Sequence, residues 1–174
     1  MPAPVIATGY AHLVAVCAHY KAGAVISITG PEDGYKASLP ALPHLRLEIS
    51  DIHCGSIWSK KDVEIVMKRG LVLAQADDVR EALRFARLHT TKALVVHCAA
   101  GTSRSAAIAL SILSDRLGKG REDQALAELL VHSPHIDPNP YILGLADTIL
   151  NREGMLESAT SVLHQRKVPI TDLW

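Results

Sequence analysis

Ala93-Leu94-Val95-Val96-His97-Cys98-Ala99-Ala100-Gly101-Thr102-Ser103-Arg104-Ser105 is the stretch whose reading settles the architecture. Its first four residues are an apolar run of the length of a buried strand. From Ser105 to Leu117, the apolar Ile108, Ile112 and Leu113 recur at helical spacing on an amphipathic helix. A strand therefore turns into a helix across a loop that begins with a cysteine and carries an arginine six positions later. The backbone N–H groups of such a loop converge at a helix N-terminus, the end of a helix that attracts anions.

Each residue type in the loop has a chemical reason to be there. A free cysteine titrates at about 8.5, whereas one at a helix N-terminus beside a fixed cation is a thiolate nucleophile at neutral pH; Cys98 sits in that kind of setting. Arg104 offers a planar fork that grips two phosphate oxygens, which a lysine point charge cannot do. Gly101 lets the loop curl and brings amides close to a ligand. The Ser105 hydroxyl, expected to open the helix, would hydrogen-bond the cysteine sulfur and stabilise it as a leaving group when a phosphocysteine breaks down, a role Thr102 either shares or replaces with helix capping.

The set His97-Cys98-x-x-Gly101-x-x-Arg104-Ser105 resembles the signature loop of the cysteine-dependent protein tyrosine phosphatases, and the short chain is similar to their dual-specificity-like and small bacterial branches. The likeness is strongest over residues 93 to 117. A weaker pattern runs from about 24 to 150, through Val25-Ile26-Ser27-Ile28 with Pro31, Leu45 to Ile52, and Pro138-Asn139-Pro140 before a helix. The resemblance implies an α/β fold with a mainly parallel central sheet and helices on both faces. It also implies a two-step reaction in which Cys98 attacks a phosphomonoester and water then hydrolyses the phosphocysteine. Arg104 and the amides of Ala99, Ala100, Gly101, Thr102 and Ser103 would hold the phosphate, or a bound phosphate or sulfate, with His97 and Ser105 supporting. His97 is expected to orient the loop by bonding to backbone rather than to take a proton.

The departing oxygen needs a proton, and a carboxylic acid on a nearby loop is the usual donor. Asp51 lies just past the strand Leu45 to Ser50, where dual-specificity-like phosphatases place their acid. Asp62, Asp77 and Asp78 sit in cap-like settings that favour structural roles. Asp137-Pro138 resembles the acid dipeptide of low-molecular-weight tyrosine phosphatases, but in that family the cysteine loop comes first in the chain. Residues Ile52 to Leu73 read as an insertion relative to the dual-specificity branch.

Composition agrees with one enzyme domain spanning residues 1–174. The chain is 48% hydrophobic with zero formal net charge, so it can bury a substantial core and lacks the electrostatic footprint of a nucleic-acid or anionic-membrane binder. Three cysteines without framework spacing point to a reducing compartment, and the apolar stretch Val5 to Val16 is broken by polar residues, so the expectation is a cytoplasmic protein without signal peptide or membrane span. No cofactor or metal is expected, because the nine histidines are scattered without an H-x-x-x-H or C-x-x-C pair. Gly118-Lys119-Gly120 completes no nucleotide loop. The pair His53-Cys54 repeats the signature dipeptide but lacks the strand, glycine and arginine, and Cys17 reads as core.

Local patterns predict strands over Pro4 to Ala7, Ala24 to Thr29 and Leu45 to Ser50, with a loop over residues 31 to 44. Helices are expected over Tyr10 to Tyr20, from the Ser59-x-x-Asp62 box to Met67 with Gly70 as its stop, and over Val79 to His89 capped by Asp77 or Asp78. Further helices follow near Glu122 to His132, Pro140 to Asn151 with Asn139 as N-cap, and Met155 to Leu163. The expected substrate is a phosphorylated protein or small phosphomonoester. The uncharged Ala99, Ala100, Thr102 and Ser103 tilt this toward phosphotyrosine or a mixed phosphoprotein ester, because phosphoinositide-selective relatives usually carry basic residues inside the loop. Two other classes use a similar loop: a phosphopeptide-binding module that does not turn over, and a rhodanese-like sulfurtransferase or arsenate reductase.

Overall fold

The computed structural model describes residues 3–34, 41–52 and 60–165. Four strands, β1 (Val5–Gly9), β2 (Ala24–Thr29), β3 (His44–Glu48) and β4 (Leu94–Cys98), form a parallel sheet in the order β1-β4-β2-β3. Because all four run the same way, their carboxyl ends lie along one edge, where sites in open α/β sheets form. Register places Gly9 beside Cys98 and Ser27 beside His97, while Ser27 faces Arg46 on its other flank.

The two faces of the sheet are covered unequally. Val5, Ala7, Ile26, Ile28, Leu47, Leu94, Val96 and Cys98 point into the larger core, with α3 (Ala76–Leu88), α4 (Arg104–Leu117), α5 (Glu122–His132), α6 (Pro140–Leu150) and α7 (Met155–Gln165). Strand alternation sends Ile6, Val25 and Val95 to the opposite face, where they pack on Leu13 and Cys17 of the short α1 (Leu13–His19). The same alternation puts Ser27, His97, His44 and Arg46 on this thinly covered side. A helix α2 (Lys60–Lys68) precedes Gly70, whose φ of 70° ends it in the left-handed conformation the sequence anticipated.

Most predicted elements are present, and the departures have physical causes. The segment from Tyr10 is helical only from Leu13, after a 3-10 turn at Tyr10–His12. The expected loop after β2 opens with another 3-10 turn, Pro31–Asp33. α3 starts at Ala76 with Gln75 as its N-cap, so neither Asp77 nor Asp78 is the cap; Asp78 Oδ2 instead accepts from the Gln75 amide at 2.7 Å. α4 is not amphipathic. Every residue from Arg104 to Ser114 is buried, because the helix runs between the sheet and the neighbouring helices, and its alanines and serines permit that close approach. Asn139 is the N-cap of α6, accepting from Ile142 N at 3.2 Å. Ser59, His53 and Cys54 lie outside the described residues.

Candidate active site

The loop between β4 and α4 curls tightly because Gly101 adopts φ 82°, and a Cβ there would overlap the backbone of Thr8 and Gly9. In that curl Gly101 N–H donates to Cys98 Sγ at 3.3 Å, and Ser105 Oγ stands 3.2 Å from the sulfur. Both side chains are buried, Ser105 completely. The first helical residue is Arg104 rather than Ser105, and the N-cap is Ser103. Thr102 therefore does not cap the helix; its carbonyl accepts from Asp137 N at 2.8 Å.

Arg104 is only 2% exposed, and its five N–H groups divide unequally. Nη1 donates to Asp33 Oδ2 at 2.8 Å and to the Ile49 carbonyl at 2.8 Å, while Nη2 donates to Asp33 Oδ1 at 3.0 Å. The outer end of the guanidinium is thus clamped. Its side edge, formed by Nε–H and the second Nη2–H, is left to present two parallel donors, and Nε is buried with no hydrogen-bond partner among the described residues. A buried N–H without an acceptor is costly unless a ligand supplies one. Burial opposes the charge on Arg104, but the Asp33 hydrogen bonds and the charges of Cys98, Asp33 and Asp51 raise its pKa above the ordinary value. Burial likewise works against the Asp33 carboxylate, yet Arg104 and the Gly30 amide hold its pKa below the usual range.

Asp51, three residues beyond the carboxyl end of β3, comes to the same place. Its Oδ1 accepts from Ser103 Oγ at 2.7 Å and from Asn139 Nδ2 at 3.2 Å, and its Oδ2 lies 3.8 Å from Arg104 Nε. The turn that carries it is stapled by Glu32, whose carboxylate accepts from Ser50 Oγ at 2.7 Å and Asp51 N at 2.9 Å. Adjacent carboxylates on one turn therefore secure both halves of the site, Glu32 the Asp51 turn and Asp33 the arginine. Asn139 ties in a third element by donating also to the Ile52 carbonyl at 3.0 Å.

The other carboxylates are placed elsewhere. Asp77 pairs with Arg80 on exposed surface, Asp78 closes the start of α3, and Asp62 is in the first turn of α2. Asp137 meets the loop through its backbone amide. His97 is fully buried and bonds Ser27 Oγ through Nε2 at 2.6 Å, and the Cys98 backbone also bears on the ring. Burial pushes its pKa down to about 4, against a smaller opposing effect of the Cys98 backbone.

Four participants went unread in the sequence: Glu32, Asp33, the Ile49 carbonyl, and Asn139 as a ligand of the Asp51 turn. The two acids had a legible signal, since Gly30-Pro31-Glu32-Asp33 directly follows a strand at the edge where such sheets bind ligands. Among the described residues no group of His, Cys, Asp and Glu side chains could hold a metal ion, and no helix is long and apolar enough to cross a membrane.

No protein-family model matches the sequence, and no curated protein is similar to it in sequence. Solved structures are similar in fold. PTPMT1 in complex with PI(5)P superposes with a TM-score of 0.57 at 14% identity, over 89% of this chain and 94% of that one. DUSP15 gives 0.56 at 19% identity over 94% and 92%, and human DUSP28 gives 0.52 at 15% over 84% and 88%. The chain therefore has the fold of the dual-specificity protein tyrosine phosphatases.

Proposed function

We propose that the protein is a cysteine-dependent phosphatase that hydrolyses phosphomonoesters of proteins, with phosphotyrosine or mixed phosphoprotein specificity. The observation that carries this reading is the guanidinium of Arg104, clamped at its far end by Asp33 and Ile49 while its side edge lies buried beside a cysteine loop. A tetrahedral dianion would supply the missing acceptors, with the loop amides from Ala99 to Ser103 around its remaining oxygens.

In the first step the Cys98 thiolate attacks phosphorus in line, a sulfur–phosphorus bond forms, and the ester oxygen–phosphorus bond breaks. The leaving oxygen takes a proton from Asp51. In the second step water attacks the phosphocysteine and gives its proton to Asp51, and sulfur leaves as thiolate, helped by the Ser105 hydroxyl at 3.2 Å. Asp51 is the best-supported acid because it alone among the candidates is held by its side chain against Ser103, Asn139 and Arg104. No cofactor enters this scheme. The substrate tilt rests on the uncharged loop positions and on three carboxylates, Glu32, Asp33 and Asp51, near the arginine, which disfavour ligands with several phosphates.

The test is hydrolysis of an aryl phosphate by the wild type and by Cys98→Ser. Turnover in the first, with its loss and retained oxyanion binding in the second, is expected. Turnover retained by the serine variant overturns the assignment. A chain that binds phosphopeptide but never hydrolyses it would be a recognition module, and persulfide on Cys98 after thiosulfate would mark a sulfurtransferase.

A further inference from the structure

Behind the loop, on the α1 face of the sheet, Ser27 Oγ stands between two imidazoles. His97 Nε2 is 2.6 Å from it and His44 Nε2 is 2.7 Å from it. A serine hydroxyl has one hydrogen, so it donates to one ring and accepts from the other. The direction is set at the outer end. Arg46 Nε donates to His44 Nδ1 at 3.4 Å, and arginine has no acceptor, so His44 Nδ1 carries a lone pair and His44 Nε2 carries the proton. His44 then donates to Ser27, Ser27 donates to His97 Nε2, and the proton of His97 must sit on Nδ1. That nitrogen is buried without a closed hydrogen bond, and the neighbouring Cys98 backbone favours a proton on the ring.

We propose that His44 and Ser27 are positioning residues for Cys98: with Arg46 they form a one-way hydrogen-bond chain across three strands that fixes the proton of His97 on the nitrogen facing the base of the cysteine loop. The inference rests on the phosphatase reading for what Cys98 does, but not for the chain itself. Both rings are neutral at neutral pH, since burial lowers the pKa of each and Arg46 adds to the effect at His44. A neutral ring needs its tautomer chosen, and that choice decides whether an N–H or a lone pair meets the Cys98 backbone. With N–H there, the first peptide of the loop stays oriented so that Gly101 N–H reaches the sulfur. With a lone pair there, the two repel and the loop relaxes. The face helps by keeping water out: Ser27 and His97 are buried, and the Tyr10 ring lies 6.2 Å from that of His97.

The experiment is nitrogen-15 correlation spectroscopy of the histidine side chains at about pH 7, with Cys98 alkylation by iodoacetamide measured on the same samples. In the wild type His97 should show its proton on Nδ1 and His44 on Nε2. In Ser27→Ala and His44→Gln the single-tautomer pattern of His97 should be lost, and Cys98 alkylation and aryl phosphate kcat/KM should fall about tenfold. Ser27→Thr, which restores a hydroxyl, should recover both. Arg46→Met changes an exposed residue and keeps the fold, and it should weaken the His44 preference. A wild-type His97 protonated on Nε2, or Ser27→Ala with unchanged tautomer and alkylation, overturns the proposal. A wild type with the expected tautomers but no turnover overturns the phosphatase reading and leaves the chain standing.

Discussion

Arg104 is the residue on which the site turns, because its side chain is divided between two tasks. Asp33 and the Ile49 carbonyl take three of its N–H groups and immobilise the guanidinium, so the remaining pair is aimed before any ligand arrives. Arg104→Lys keeps the charge but cannot form the parallel pair, and aryl phosphate kcat/KM should fall about a hundredfold or more. Asp33→Asn removes the one carboxylate hydrogen-bonded to the buried guanidinium and leaves only Glu32 and Asp51, each 3.8 Å away. It should lower unfolding stability by about 3 kcal/mol in urea denaturation, together with a rise in KM, whereas an unchanged KM would mean Arg104 is oriented by other groups. Asp51→Asn should slow substrates with poor leaving groups about a hundredfold and leave activated aryl phosphates nearly untouched. Equal loss on both substrates would place the acid elsewhere.

The loop between β4 and α4 works only because another element makes room for it. Gly101 lies against the end of β1 so closely that a methyl group would overlap Thr8 and Gly9, and its φ of 82° disfavours any side chain. Tyr10 N–H secures the approach by donating to Ala99 O at 3.1 Å. Gly101→Ala should therefore cost about 2 kcal/mol or more of stability and abolish oxyanion protection against thermal unfolding. A variant that melts like the wild type would show that the loop tolerates a wider curl. The opposite end of the same helix is held by a buried pair: Arg152 Nη2 donates to Ser114 O at 2.9 Å, and Nε lies 3.3 Å from Glu122 Oε1. The corner between α6 and α7 is thus fixed to α4 and α5, while Asp147 accepts from the amides of Leu156 and Glu157 to start α7. These contacts are remote from Cys98 and stabilise the scaffold that keeps α4 buried.

Across the whole molecule the buried histidine sets how stability responds to acid. His97 has a pKa of about 4 when folded and 6.5 as its ordinary value, so between those limits the unfolded chain binds more protons. Stability should accordingly rise with pH from about 4 to 6.5 and level off above, with a swing from this group of as much as roughly 3 kcal/mol. His44, also lowered, acts in the same direction, and Asp33 loses its contribution as pH falls through its depressed folded value. Urea midpoints at neutral and mildly acid pH check this, and a flat profile would mean that His97 is already charged in the native state.

Local order was legible because it depends on neighbours in the chain. The bounds of β2 and of α5, the Asn139 cap, the stop at Gly70 and the strand-loop-helix around Cys98 all follow from hydrophobic period and turn chemistry within a few residues. The position of Asp51 could be read as well, since it lies three residues past β3 at the edge where parallel sheets place their chemistry. What no stretch of residues contains is the order β1-β4-β2-β3. That order seats β2 between β3 and β4, and so brings Asp33 to Arg104, Glu32 to the Asp51 turn, and Ser27 between His44 and His97. Such contacts join positions tens of residues apart, and their existence depends on which strands pair, a choice made by burying the whole core at once rather than by any local preference.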